Sequence, residues 1–100
     1  MARVTEKEIT KTIREALRSV GIWHYKHWGG MMGLNGVSDI IGCHEGRFFA
    51  IEVKVPGRKP TPDQEAFLKD VEQAGGIAIV AYGFDDVVKG LGIEDRFLCT

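Results

Sequence analysis

The chain has 100 residues, 44% of them hydrophobic and 27% charged, with 13 glycines. A chain of this length sustains one hydrophobic core and not two, so residues 1–100 are expected to form a single domain. The balanced composition excludes a disordered or fibrous polymer. The net charge of −1 hides an asymmetry: residues 1–60 carry ten Lys or Arg against six Asp or Glu, and residues 61–100 carry three against eight. Such a split points to a polyanionic partner for one face. No apolar run approaches the roughly 18 residues of a membrane span, and Met1-Ala2-Arg3-Val4-Thr5-Glu6 offers no signal-peptide core. Cys43 and Cys99 stand far apart and outside any Cys-x-x-Cys spacing. That argues against a disulfide framework or a zinc site and fits a reducing, cytoplasmic compartment, not secretion.

In chain order, Thr5 and Glu8 have the spacing of a capping box, and Ile9, Ile13, Ala16, Leu17 and Val20 recur at helical spacing until Gly21. A helix over 6–20 is expected. Ile22 to His27 predicts an aromatic strand, and Gly29 to Gly36, with Met31 and Met32, a mobile loop. Val37 to Cys43 and Arg47 to Val55 predict two strands joined at His44-Glu45-Gly46. Thr61, Pro62 and Gln64 open a second helix that carries Phe67, Leu68 and Val71 inward and ends at Gly75-Gly76. Ile77 to Tyr82 predicts a buried strand. Asp85 to Leu91 has room for one or two helical turns, and the tail beyond Gly92 carries no signal. The order of helix, three strands, helix and strand predicts an α/β sandwich.

Three polar groups stand among apolar neighbours: Asp39, Glu52 and Lys54. Period two places Glu52 and Lys54 on one face of their strand. Acids in apolar strands are costly unless paired or bound to a metal, and two on adjacent strands repel unless a cation lies between them. A hard divalent cation suits that position, because it takes oxygen ligands and often uses only one or two carboxylates. A lysine beside it can orient a water or hold a phosphate. Taken alone, E-x-K is a common pattern that also describes an ordinary ion pair.

It is not alone. Gly36-Val37-Ser38-Asp39-Ile40-Ile41-Gly42, then Phe49-Ala50-Ile51-Glu52-Val53-Lys54-Val55-Pro56-Gly57-Arg58, then Thr61-Pro62-Asp63-Gln64-Glu65-Ala66-Phe67-Leu68 together resemble the virus-type replication-repair nuclease domain, VRR-NUC. That family belongs to the PD-(D/E)xK superfamily of phosphodiesterases. The similarity runs from about Thr5 to Gly83. It implies a restriction-endonuclease-like αβββαβ core with a mixed central sheet flanked by helices. It also implies a Mg²⁺- or Mn²⁺-dependent endodeoxyribonuclease whose products carry a 5′-phosphate and a 3′-hydroxyl. Asp39 and Glu52 are then the metal ligands, the Val53 carbonyl completes the metal shell, and Lys54 is the catalytic lysine. Gln64 matches the family's glutamine on the helix after the active-site strands, although Thr61-x-x-Gln64 is itself a capping box.

The family also uses a glutamate on its first helix. Glu8 is occupied by the capping box, whereas Glu6 shares the stripe of Ile9, Ile13 and Leu17, so Glu6 is chosen, acting on the metal through water. Its ordinary alternative is a first-turn acid favoured by the helix dipole, worth about 0.3–1 kcal/mol. The family's proline before the aspartate is Ser38 here. Small stand-alone members resemble phage proteins that act as dimers on branched DNA such as Holliday junctions, in repair and recombination. Branched DNA and a second copy of the chain are therefore the expected partners, in a bacterial or phage-infected cell, with no organic cofactor. The rival is a non-catalytic nucleic-acid-binding module of the same fold. Nucleases that prefer flaps, nicks or single strands form a third possibility.

Lys26, Arg58 and Lys59 are candidate phosphate contacts. His24, Lys26 and Trp28 alternate on one strand face and are placed to line a groove. Trp23, Tyr25 and Trp28 are expected mostly to fill the core or a subunit interface, with base stacking as the alternative.

Overall fold

The computed structural model describes residues 4–28 and 35–97. Helix α1 (Glu6–Ser19) opens at Thr5, whose Oγ1 accepts the Glu8 N–H at 3.1 Å. Only this half of the capping box forms, because the Glu8 carboxylate accepts from the Thr5 hydroxyl at 3.2 Å and leaves the Thr5 amide alone. Ile9, Ile13 and Leu17 are buried as their spacing demands, and Gly21 leaves the helix at φ 72°.

Four strands follow in the spatial order β1 (His24–Lys26), β2 (Ile40–His44), β3 (Arg47–Val53) and β4 (Ile77–Ala81). The first two pairings are antiparallel and β3 with β4 is parallel, so the sheet is mixed. β1 is shorter than the expected 22–27, and β2 begins at Ile40 and not at Val37. The hairpin is also tighter. His44 pairs with Arg47, and Glu45 and Gly46 turn the chain with φ of 51° and 80°. Positive φ at both central residues matches the twist of the flanking strands. The loop expected at Gly29 to Gly36, with Met31 and Met32, falls largely outside the described residues.

Helix α2 (Pro62–Gln73) makes the crossover between the parallel strands and starts with Pro at its first position behind the Thr61 cap. Helix α3 (Phe84–Leu91) is a full helix, and the tail continues into a 3₁₀ turn, Glu94–Phe97. That tail contributes to the core: Ile93 is buried, and Phe97 meets Phe84 edge-on with ring centroids 4.9 Å apart.

The helices flank the sheet unequally. Helices α1 and α3 cover one face, where Ile13, Leu17, Ile40, Phe49, Ile51 and Val87 are fully buried. On the other face Leu68 and Val71 of α2 pack over Ile41 and Ala50. There the aromatics depart from expectation. Trp23, Tyr25 and Phe48 are exposed, and Trp23 and Tyr25 stack edge-on at 5.9 Å on the edge-strand side. Trp28 is also exposed, so the expectation that these rings fill the core is overturned. Among the described residues no helix is long and apolar enough to cross a membrane.

Gly42 sits where β1, β2 and the core meet. A Cβ there would collide with the Phe49 ring and the Trp23 carbonyl. Gly42→Ala is expected to cost about 1–3 kcal/mol in urea unfolding, as overpacked cores do. Cys43→Ser, one residue on at an exposed position, is expected to stay within about 0.5 kcal/mol. Equal stability of the two variants would contradict this packing.

Candidate active site

The offset between β2 and β3 builds the site. β2 starts at Ile40 opposite Ile51, whereas β3 runs on to Val53. The amide of Val53 therefore overhangs with no backbone acceptor from β2. Asp39 supplies one: its Oδ2 accepts the Val53 N–H at 2.7 Å. The same ladder register sets Asp39 across from Glu52. In an extended strand a residue's N–H and C=O point to the same side, so the Val53 carbonyl also faces the Asp39 edge of β3.

Glu52 is 1% exposed, the only buried acid among the described residues. Its Oε2 lies 3.8 Å from Lys54 Nζ, as expected for neighbours on one face of the strand. Its Oε1 is buried with no hydrogen-bond donor. Burial, then the negative charge of Asp39 and a hydrogen bond to its carboxyl, push the Glu52 pKa up to about 8; Lys54 opposes the rise and Glu6 adds weakly to it. Two carboxyls thus meet with a single lysine to balance them. Such a pair is relieved either by a shared proton or by a cation.

Among the described residues no three His, Cys, Asp or Glu side chains group as a metal site. Two carboxylates with a backbone carbonyl nevertheless fit the sparse protein shell of Mg²⁺, which keeps waters and takes substrate oxygens for the remainder. The donor-free Glu52 Oε1 gives that fit a structural basis.

The remaining expected residues are scattered more widely. Glu6 is exposed and lies with Asp39 at one end of a groove, outside the α1 core stripe. Gln64 completes the α2 capping box, with Oε1 accepting the Thr61 N–H at 2.8 Å. Its carbonyl end is therefore committed to the cap. Arg58 and Lys59 are exposed in the turn after β3, where the Arg58 carbonyl accepts from Tyr82 Oη at 2.9 Å. Neither lines the groove that Lys26 lines. Ser38 is fully buried with an unpartnered hydroxyl.

The basic helical wall of the groove was not among the residues expected from sequence. The groove encloses about 590 Å³ between α1 and the edge strand, lined by Lys7, Lys11, Arg14, Arg18, Lys26 and Trp28 and closed by Glu6 and Asp39. Lys26 and Trp28 line it as their alternation suggested, but His24 does not. The helical cations recur at i, i+4, i+7 and i+11, a basic stripe that was legible in the sequence. Arg14 Nε is buried in this wall with no acceptor. Burial, and to a lesser degree Arg14 and Arg18, hold the His24 imidazole below its usual pKa.

No family model matches the sequence, and no curated protein matches it. A solved structure named as a VRR_NUC domain protein superposes with a TM-score of 0.74, covering 88% of this chain and 85% of that one at 21% identity. The chain therefore has the fold of a VRR_NUC domain, the α/β architecture expected from its sequence.

The raised Glu52 pKa has a sign that can be checked. Between the usual value of 4.5 and about 8, the folded chain keeps a proton that the unfolded chain releases. This stabilising contribution is fully present below 4.5 and is lost as pH rises through about 8, at about 1.4 kcal/mol per pH unit at most. In chelator-treated protein, urea stability is expected to fall from about pH 5 to pH 8, and Glu52→Gln is expected to flatten that fall. An undiminished slope in the variant would contradict the assignment.

Proposed function

We propose that the protein is a metal-dependent DNA endonuclease. The observation that carries the proposal is the pairing of half-buried Asp39 with buried Glu52, with Lys54 3.8 Å from Glu52 and one glutamate oxygen left without a donor. The fold shared with a VRR_NUC domain supports the same chemistry. Asp39, Glu52 and the Val53 carbonyl would hold Mg²⁺ or Mn²⁺, with Glu6 reaching it through water. The ion, when bound, supplies a positive charge beside the scissile phosphate. Lys54 orients the attacking water and carries the charge that balances the carboxylates. The Val53 N–H fixes the rotamer of Asp39, so the first ligand is positioned before substrate arrives. Gln64 acts mainly as the cap that seats α2 behind the active-site strands.

Branched DNA is the proposed substrate, cut by two copies of the chain. One small domain carries one such site, and symmetric cutting of two strands needs two. Purified protein and a labelled four-way junction test this directly. Nicking is expected only with Mg²⁺ or Mn²⁺, and Glu52→Ala and Lys54→Ala are each expected to lower its rate by at least 100-fold. Cutting without added metal, or undiminished in Glu52→Ala, would defeat the proposal. Metal-insensitive, salt-sensitive binding with no cutting would favour a binding module of the same fold.

A further inference from the structure

We propose that the groove between α1 and β1 is a track for one strand of DNA, with Trp28 as the platform on which a base stacks beside the acidic pair. The proposal rests on the nuclease function only in its last step, delivery of the strand to Asp39.

Direction comes from the order of the wall. Lys7, Lys11, Arg14 and Arg18 follow one face of α1, and Lys26 stands on the strand opposite. From Lys7 to Arg18 the helix rises about 16 Å, room for several consecutive backbone phosphates. Glu6 opens α1 one residue before Lys7, and its charge reaches Glu52 beside Asp39, so both lining acids stand at the Lys7 end of the track. The His27 N–H donates to the Asp39 carbonyl at 2.8 Å, which holds Trp28 at that same end. Five cations thus lead toward two acids. A polyanion bound along the cations would be repelled at the end of the track unless a divalent cation were present there.

Size and chemistry favour one strand over two. A concave slot of about 590 Å³ is on the scale that encloses a small ligand. A duplex is convex at this scale, and its major groove alone is about 12 Å across. Trp28 is 74% exposed, and Lys26 Nζ lies 4.5 Å from its ring centroid. An aromatic face flanked by cations suits single-strand recognition, because every base stacks while the cations follow the backbone. Arg14, among the lining residues, adds a further cation to this wall.

The test is fluorescence anisotropy of a labelled 12-residue oligothymidylate in excess chelator, where no cutting intervenes. Lys11→Gln with Arg18→Gln is expected to weaken binding about tenfold or more. It is also expected to reduce the slope of log affinity against log salt by about 1.4, the value for two lost phosphate contacts on a single strand. Trp28→Ala is expected to weaken binding at least fivefold, and Trp28→Phe to restore most of it. Lys69→Gln with Lys89→Gln, on α2 and α3, removes the same charge away from the groove and is expected to leave binding within twofold. Equal losses in the two charge pairs, an unaffected Trp28→Ala, or tighter binding of the 12-base-pair duplex would each overturn the track. Because no divalent metal is present, failure of cutting with binding intact would count against the nuclease function and not against the track.

Discussion

One hydrogen bond sets the site: the Val53 amide to the Asp39 carboxylate. It exists because β3 outruns β2, so a backbone donor at the sheet end lacks a partner. An unmade bond of this kind in a protein interior costs about 1–3 kcal/mol, which is enough to hold a short acidic side chain in one rotamer. The consequence is electrostatic. Asp39 is held against Glu52, whose own burial already disfavours its charge. The strand offset thus places two like groups together in a fold that would otherwise separate them.

Much of this was legible in the chain. Period-two alternation placed Glu52 and Lys54 on one face, and they lie together in the structure. The N-caps at Thr5 and Thr61 and the apolar stripe of α1 followed from spacing alone. β4 followed from its apolar run, but it lies at the sheet edge with only Ile79 and Ala81 buried. The strand offset was not legible, because Val37 extends the apolar run of Ile40 and Ile41 across Ser38 and Asp39 and composition does not fix where pairing starts. Tertiary pairing sets the start of β2 at Ile40. Gln64 matched two patterns at once, and the cap geometry shows the local one operating. The exposure of Trp23, Tyr25 and Trp28 was hidden for another reason. An aromatic strand reads as core until the sheet order shows β1 at the edge.

The basic stripe illustrates a different limit. Lys7, Lys11, Arg14 and Arg18 look like the solvated face of any amphipathic helix. They become a groove wall only because β1 runs beside α1 and places Lys26 and Trp28 opposite. The charge asymmetry of the sequence foreshadowed this without locating it. The five groove cations all come from the basic first 60 residues, and the acidic remainder contributes none of the lining. Cationic approach and acidic terminus are therefore adjacent, an arrangement that attracts a polyanion and then requires a counter-ion where it stops.

The central claim is that Asp39 and Glu52 together bind one divalent cation. Titration of the purified chain with Mn²⁺, followed by the loss of the free-ion electron paramagnetic resonance signal, measures this directly. One ion bound per chain, with affinity reduced at least tenfold in Asp39→Asn, is the result expected. Stoichiometric binding that survives Asp39→Asn unchanged, or no binding by the unaltered chain, would contradict it.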